Sequence, residues 1–361
     1  MKTGVDVLVV GGGPVGLAAA IGARMRGLSS AVVEPRDSPI DKACGEGLMP
    51  GAVTALARLG VVPPDHPIRG IGYRSANRQV DHLFEDRAGD ATGNRTQGAA
   101  GDGAVGGAGM GVRRTVLQSA LTERARELGV RFVVSKVAAL EQDADGVTAA
   151  DIRARYLIAA DGLHSTVRSL LGVAKRPATG RRCGLRQHFR VEPWSDLVEV
   201  HWTPTVEAYV TPVGDDVVGV ALLGRQGMEY AGSLRAIPAL ASRLEGTAAA
   251  STLRGAGPFR QRTRHRRVGR VLLVGDSSGY VDAITGEGIR GGLAQAEAAI
   301  DCIAADDVAG YEQAWSRCTR DFRILTAGLV TLADSPLRPA IVPLAAALPG
   351  VFGAVVERLA G

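Results

Sequence analysis

The chain has 361 residues, of which 46% are apolar, so it can bury a core large enough for two packed units. Its net charge of +5 suits an anionic ligand, whereas an aromatic content of 4% disfavours the stacking surfaces that bind nucleic acids. The four cysteines (Cys44, Cys183, Cys302 and Cys318) form no Cys-x-x-Cys pair, so no metal site or disulfide framework is expected and a reducing, cytoplasmic location is indicated.

The first predicted elements form the start of a parallel α/β unit. An apolar strand at 5–10 leads through a glycine-rich turn into a helix of small residues from Pro14 to Arg26. A second buried strand follows at 31–34. Such a strand–helix–strand unit is expected to have a right-handed crossover.

Three glycines occupy the turn of this unit at the G-x-G-x-x-G spacing. Gly11 permits the tight turn, Gly13 lets the backbone approach a pyrophosphate, and Gly16 lets the helix pack on the strand. The amide groups at the helix N-terminus then point at the phosphates. Glu34 ends the second strand, where its carboxylate can accept both hydroxyls of an adenosine ribose. The segment therefore predicts dinucleotide binding.

The later part of the chain alternates between helical and strand-rich segments. Residues 89–111 are so rich in glycine and polar residues that a mobile loop is expected there. The other predicted elements are a helix at 113–129, short strands at 131–160, a helix at 164–172, a strand-rich region at 180–262 with a helix at about 232–245, and a strand followed by a helix at 288–305. The predicted domains are a discontinuous nucleotide-binding domain (1–72, 112–178 and 262–305), a substrate domain (73–111 and 179–261) and C-terminal helices (306–361).

The most apolar late stretch, residues 340–356, is interrupted by Pro343 and Pro349 and falls short of a bilayer span. No transmembrane segment is expected. Packed C-terminal helices are favoured, and contact with a membrane surface is the alternative.

A second motif distinguishes FAD from NAD. Gly275-Asp276 follows the apolar strand "RVLLV", and "TGEGIRGG" would begin the next helix. A nicotinamide dehydrogenase needs one glycine fingerprint, whereas the longer FAD benefits from a second contact point. The amides and dipole of that helix could also stabilise negative charge on a reduced flavin. FAD is therefore the expected cofactor.

The order of these motifs resembles the FAD-dependent monooxygenase family built like p-hydroxybenzoate hydroxylase, which includes geranylgeranyl reductases and flavin-dependent halogenases. Asp161-Gly162 and Arg168 lie between the two motifs, and Arg114 matches the arginine that these proteins aim at the FAD phosphates. The resemblance implies an α/β fold with a Rossmann-type FAD-binding domain, an inserted strand-rich substrate domain and C-terminal helices, and NAD(P)H as a transient co-substrate. The FAD-binding residues that it implies are Gly11, Gly13, Pro14, Val15, Gly16, Glu34, Pro35, Arg36, Lys42, Ala43, Cys44, Gly45, Arg114, Asp161, Gly162, Arg168, Gly275, Asp276, Gly286, Gly288 and Ile289.

Two segments look like those of geranylgeranyl reductases, namely "KACGEGLMPGAV" (42–53) and "GEGI" (286–289). They favour reduction of isolated double bonds, for which Cys44 would lie near the reacting bond. The reductase and halogenase branches, however, usually carry an aromatic-x-Trp-x-(Phe/Ile)-Pro strand over the flavin.

In this chain the corresponding strand is "EAYVTP", which lacks the tryptophan. Glu207, Tyr209 and Thr211 share one face of that strand, because side chains alternate. Such a polar face suits a hydroxyl-bearing substrate better than a prenyl chain, and a solvated amphipathic strand is the other interpretation.

Hydroxylation is the primary functional hypothesis from these residues. NAD(P)H would reduce FAD, and a flavin C4a-hydroperoxide would pass its distal oxygen to an aromatic or polyketide-like small molecule. Tyr209 or Glu207 would assist, with His188 or His201 as substitutes. The predicted catalytic set is Glu207, Tyr209, Cys44, Gly286, Glu287 and Gly288. The alternatives are a reductase of prenyl or alkene double bonds and a non-catalytic FAD-bound scaffold.

The segment "FRQRTRHRRVGR" places arginines at alternate positions: Arg260, Arg262, Arg264 and Arg266. A solvated strand face and a docking site for NADPH are both compatible with this pattern.

Overall fold

The computed structural model describes residues 4–85, 107–175 and 182–361. These residues form an eight-stranded sheet, a seven-stranded sheet, a three-stranded sheet and ten α-helices. The predicted class, an α/β fold with a Rossmann-type unit, a strand-rich part and C-terminal helices, is confirmed.

The strands are β1 (Val5–Val10), β2 (Ser30–Val33), β3 (Gly47–Leu48), β4 (His66–Ile68), β5 (Gly70–Arg74), β6 (Gln79–Leu83), β7 (Gly109–Gly111), β8 (Arg131–Val133), β9 (Leu140–Gln142), β10 (Val147–Ala149), β11 (Ile152–Ala159), β12 (Arg182–Arg190), β13 (Leu197–Trp202), β14 (Val206–Gly214), β15 (Val217–Arg225), β16 (Arg254–Ala256), β17 (Arg267–Val268) and β18 (Val271–Leu273). The helices are α1 (Pro14–Met25), α2 (Pro50–Arg58), α3 (Arg114–Glu127), α4 (Thr166–Leu170), α5 (Tyr230–Arg235), α6 (Pro238–Leu244), α7 (Gly288–Ala304), α8 (Tyr311–Ala333), α9 (Ile341–Ala347) and α10 (Pro349–Ala360).

The eight-stranded sheet has the order β17-β18-β11-β1-β2-β8, and β10 and β9 extend it beside β11. The four pairings from β18 to β8 are parallel. Helices α1, α3 and α7 cover one face of this sheet, and their apolar side chains form the largest core cluster. Because the central strands are parallel, their carboxyl ends meet at one edge, which is where ligands bind in such sheets.

The seven-stranded sheet has the order β16-β12-β15-β14-β13-β5-β6 and is antiparallel except between β13 and β5. Its strand β14 is buried on both faces. Val206, Ala208 and Val210 pack against α5 and α6 on one face, whereas Tyr209 belongs to the cluster formed with the C-terminal helices on the other. The strand therefore has no solvated face.

Three elements differ from the sequence predictions. The helix predicted at 232–245 is two short helices, α5 and α6, because the residue before Pro238 is disfavoured in the helical conformation. The loop predicted at 89–111 ends in a strand, since Gly109–Gly111 pairs with β3 and β4; residues 89–106 lie outside the described residues. Strands β5 and β6 both belong to the seven-stranded sheet, although the predicted boundary at residue 73 would divide β5 between the two domains. The domain boundaries remain a prediction.

Within the described residues, no single helix is long and apolar enough to cross a membrane. The segments Arg338–Ala347 and Pro349–Ala360 meet that criterion only as a pair, and they are bent by 104° at their junction.

Candidate functional site

A first cavity lies where the carboxyl ends of β1, β11 and β18 meet the seven-stranded sheet. Fifteen of the sequence-predicted residues line it: Gly13, Pro14, Val15, Lys42, Ala43, Cys44, Gly45, Arg114, Gly162, Tyr209, Gly275, Asp276, Gly286, Gly288 and Ile289. The fold thus brings residues from distant parts of the sequence together around one cavity. The nine predicted residues that do not line it are Gly11, Gly16, Glu34, Pro35, Arg36, Asp161, Arg168, Glu207 and Glu287.

Two of the fingerprint glycines have no room for a side chain. Gly11 has φ +111°, and a Cβ there would lie 2.4 Å from the carbonyl oxygen of Ala160. A Cβ on Gly16 would lie 1.9 Å from the carbonyl oxygen of Gly11. The close approach of α1 to the turn therefore requires glycine at both positions, and it aims the start of α1 at the cavity.

Glu34 lies beside the fingerprint turn. The backbone N–H of Gly12 donates to its Oε2 at 2.9 Å, and the Arg36 guanidinium donates to its Oε1 at 2.7 Å. Burial raises the pKa of Glu34, but these hydrogen bonds outweigh burial, so the net pKa is lowered. The carboxylate is therefore charged at neutral pH and acts as an acceptor.

Asp161 and Arg168 hold the loops that border the cavity. Asp161 accepts hydrogen bonds from Ser165 Oγ (2.6 Å) and from the backbone N–H of Val167 (3.0 Å), so its carboxylate fixes the start of α4. Arg168 is buried and donates to the carbonyl oxygens of Leu163, Asp276 and Ser277. These two residues shape the site through the backbone, whereas Gly162 and Asp276 reach it directly.

In the described ranges, four charged residues line the first cavity, namely Lys42, Arg114, Arg186 and Asp276. Lys42 Nζ lies 3.5 Å from Asp276 Oδ2. Arg114 lines the cavity next to Gly13, and its buried Nε has no hydrogen-bond partner. Such an orphaned donor is costly unless a ligand satisfies it.

A second cavity of about 260 Å³ adjoins the first. Among the described residues, five line both cavities: Cys44, Gly45, Tyr209, Gly286 and Ile289. From this shared wall the second cavity runs between the seven-stranded sheet and α8, α9 and α10. Within the described part of the chain, Glu46 is its only charged lining residue. Most of its wall is aliphatic, so it suits a long apolar group.

Of the predicted catalytic residues, Cys44 and Tyr209 lie in the shared wall, and Tyr209 donates its hydroxyl hydrogen bond to the carbonyl oxygen of Ile284. Burial raises the pKa of Tyr209 well above its ordinary value, so this hydroxyl stays protonated. Gly286 also lies in the shared wall and Gly288 lines the first cavity, whereas Glu207 and Glu287 line neither.

Glu207 lies in a buried ion-pair cluster behind the wall. Its Oε2 accepts from Arg182 Nη2 at 2.7 Å, and its Oε1 lies 2.6 Å from Arg338 Nη1. Arg182 Nε also donates to Asp282 at 2.9 Å. The cluster ties the seven-stranded sheet to the segment before α9 and to the loop before α7.

Sequence reasoning missed Glu46, which is buried in the second cavity wall with φ +61°. A left-handed conformation costs a non-glycine residue about 1–2 kcal/mol, so the surrounding contacts must hold Glu46 in place. His188 Nε2 lies 2.5 Å from Glu46 Oε2, and His188 Nδ1 lies 2.8 Å from Ser251 Oγ. The only signal in the sequence was the nearby Cys-Gly segment.

The other histidine considered, His201, pairs with Glu199 at 3.1 Å and lines neither cavity. The alternating arginines are exposed at Arg260, Arg262 and Arg264, while Arg266 stacks 4.0 Å from the centre of the Trp315 ring. The NADPH-docking interpretation of this segment remains a prediction.

Comparison with known proteins identifies the family. The FAD binding domain model FAD_binding_3 matches residues 4–220. The chain belongs to this family. The flavoprotein is 27% identical over 355 residues to the menaquinone reductase of Mycolicibacterium smegmatis, covering 87% of this chain and 80% of that protein.

Two further relatives differ in activity. A digeranylgeranylglycerophospholipid reductase of Methanothermobacter thermautotrophicus is 27% identical over 341 residues (85% of this chain, 80% of that protein). A rifampicin monooxygenase of Streptomyces venezuelae is 33% identical over 175 residues (47% of this chain, 34% of that protein). The solved p-nitrophenol 4-monooxygenase PnpA of Pseudomonas putida has a TM-score of 0.76 at 20% identity, covering 99% of this chain and all of that one, and shows the same fold.

The flavoprotein is an FAD-dependent oxidoreductase, and the predicted family is confirmed. The first cavity fits FAD on its own evidence, because the cavity-lining Gly45 faces open space and Arg114 Nε needs an acceptor. Arg114 and Lys42 would hold the phosphates, and Asp276 would accept from the ribityl hydroxyls.

Replacing Arg114 by methionine is expected to weaken FAD binding about 10- to 100-fold, because a hydrogen bond to a charged group contributes about 1.5–3 kcal/mol. The affinity is measured by titrating the FAD-free protein with FAD and following flavin fluorescence. Arg126→Met on the same helix is the control, since Arg126 is exposed and lines neither cavity. Equal affinities for the two variants would remove Arg114 from the site.

The free energy of unfolding is expected to fall as pH rises from about 4.5 to 7, because of the buried carboxyl group of Glu287. Burial raises its pKa to about 7 despite the nearby Arg290, so the folded state holds a proton that the unfolded state releases in this window. The loss is about 3 kcal/mol at 1.36 kcal/mol per pKa unit. Urea unfolding at pH 5 and pH 8 should therefore show Glu287→Gln gaining stability over the wild type only at pH 8. Glu297→Gln, at an exposed position of the same helix, should show no such change.

Proposed function

We propose that the flavoprotein reduces a carbon–carbon double bond in the isoprenoid chain of a lipid. The observation that supports this most strongly is the second cavity, whose aliphatic wall continues from the cofactor cavity to the C-terminal helices. Burying apolar surface is favourable by about 25 cal/mol per Å², so an isoprenoid chain would gain affinity along the whole length of such a wall. A small phenol would leave most of it unfilled.

The reaction adds two electrons and two protons across the double bond. Reduced FAD, when bound, would supply a hydride, which accounts for both electrons and one of the two protons. The reacting bond would then lie against the shared wall, where either Cys44 or Tyr209 would have to donate the one remaining proton. Tyr209 already donates to the carbonyl oxygen of Ile284, so Cys44 is the freer donor of the pair.

A buried hydrogen-bonded chain leads from the second cavity wall towards the protein surface. Arg186 Nη1 lies 3.1 Å from His188 Nδ1, and a guanidinium N–H can only donate, so the ring proton sits on Nε2 and faces Glu46. Ser251, at the other side of the ring, is half-buried and lies next to the exposed Thr252. His188 therefore connects the protein surface to the carboxylate in the second cavity wall.

The relatives that this chain matches over most of their length support the proposal. The menaquinone reductase and the digeranylgeranylglycerophospholipid reductase are both named as reductases, and both align with more than four fifths of the chain. The second candidate is hydroxylation, which the 33% identity to the rifampicin monooxygenase favours over 47% of the chain.

One experiment tests both functions. The FAD-loaded protein is supplied with NADH or NADPH, first without oxygen and then in air, together with a menaquinone, a geranylgeranyl lipid and a panel of phenols. We expect an anaerobic product that has gained two hydrogens from one of the isoprenoid substrates. An oxygen-dependent product that has gained one oxygen atom, with no hydrogenation, would overturn the proposal in favour of hydroxylation.

A further inference from the structure

The C-terminal helices expose an unusual number of large apolar side chains. Leu337, Leu344, Leu348, Val351 and Val355 are all more than a third exposed, although they lie within 19 consecutive residues. We call these five residues the apolar face. Isolated exposed apolar residues are ordinary, but a contiguous group is typical of an interaction surface.

Charge is absent from most of this stretch. No Asp, Glu, Lys or Arg occurs from Pro339 to Val356, whereas charged residues make up 22% of the whole chain. The segments Arg338–Ala347 and Pro349–Ala360 are bent by 104° relative to each other, so they do not form one straight helix. Helices that expose apolar side chains can bury them at a bilayer interface.

Four members of the apolar face, Leu344, Leu348, Val351 and Val355, also line the second cavity. The cavity therefore reaches the protein surface through the apolar face, and its mouth is framed by the exposed side chains. A molecule that enters at this mouth passes along an aliphatic wall to Cys44 and Tyr209.

We propose that the apolar face docks on the surface of a lipid bilayer and that the second cavity opens into that bilayer. A second copy of the chain or a protein partner bound to the apolar face would block the mouth of the cavity. A bilayer would cover the apolar side chains and still let a lipid substrate enter at the mouth. The net charge of +5 adds attraction to anionic lipid headgroups. The route of the substrate and the choice of a bilayer over a protein partner rest on the proposed function, whereas the apolar face itself rests only on the exposed side chains.

The test is sedimentation of the FAD-loaded protein with phosphatidylcholine vesicles and with vesicles containing 30% phosphatidylglycerol. We expect the wild type to bind both, more tightly to the anionic vesicles, and the double variant Leu348→Gln/Val351→Gln to lose at least 10-fold in partition coefficient. The matched control is Val134→Gln/Leu253→Gln, which also removes two exposed apolar side chains and should bind like the wild type. The FAD content of each variant verifies folding.

No vesicle binding by the wild type, or equal losses in both double variants, would overturn docking. A dimer that Leu348→Gln/Val351→Gln dissociates, without vesicle binding by the wild type, would assign the face to a second copy instead. Docking and the proposed function fail separately. Vesicle binding without hydrogenation of any isoprenoid substrate contradicts only the function, and hydrogenation of a detergent-dispersed substrate without vesicle binding contradicts only the docking.

Discussion

Glu207→Ala is expected to lower the free energy of unfolding by about 3–5 kcal/mol, the cost of removing one member of a buried ion-pair cluster. Glu207 is fully buried between Arg182 and Arg338, and its loss leaves two guanidinium groups without their shared carboxylate. Arg182 would retain Asp282 as a partner, whereas Arg338 would keep only backbone acceptors. The larger share of the penalty therefore falls at the segment that precedes α9.

Urea unfolding of the FAD-loaded protein measures this effect. Glu192→Ala, at an exposed position in the same part of the chain, should change stability by no more than about 0.5 kcal/mol. Glu207→Gln retains the shape but not the charge, so we expect an intermediate loss. A stable Glu207→Ala protein whose turnover has a changed pH profile would instead support the catalytic role predicted from the sequence.

The cofactor end of the molecule was predictable because its signals are local. The fingerprint glycines, the strand before them and the helix after them lie within 21 residues, and steric contacts such as that between Gly16 and Gly11 act within the same turn. Arg114, Gly162 and Asp276 are distant in sequence, but each follows or begins a regular element at the carboxyl edge of a parallel sheet. Topology then brings them together.

The substrate end was only partly predictable, because its chemistry depends on distant partners. Alternation correctly put Tyr209 and Thr211 on one face, and both line the second cavity. The same rule placed Glu207 on that face. Its carboxylate instead forms a buried ion pair with Arg338, which lies 131 residues further along the chain. No periodicity indicates such a pairing.

The aliphatic lining shows the same limit. Tyr209 and the polar strand favoured a hydroxyl-bearing substrate at the level of sequence, whereas the wall opposite them is built by α8, α9 and α10. Those helices appeared in the sequence as an apolar stretch broken by Pro343 and Pro349, with no indication of what they would cover. The apolar character of the second cavity therefore depends on packing between segments that are distant in the sequence.

Glu46→Gln is expected to slow hydrogenation of the double bond by about 10²-fold or more, the usual contribution of a positioned proton-transfer group. Glutamine can still accept the hydrogen bond that the Arg114 backbone N–H donates to Oε1 at 2.8 Å, but its NH2 group then faces the N–H of His188 Nε2, so an unchanged FAD affinity of the variant is the control for the shape of the site. What is lost is the carboxylate that faces His188 Nε2. Flavin reduction by NAD(P)H should therefore keep its rate, while reoxidation of the flavin by the isoprenoid substrate slows.

The chain offers a matched control for this variant. Glu199 and His201 form another buried Glu–His pair, 3.1 Å apart, on the sheet that also carries His188, but neither residue lines the two cavities. Stopped-flow measurement of the two half-reactions should show slow reoxidation in Glu46→Gln and His188→Gln and an unchanged rate in Glu199→Gln. Equal slowing of reoxidation in all three variants would mean that Glu46 serves only in packing. A role in supplying protons to the cavity predicts slow reoxidation for the Glu46–His188 pair alone.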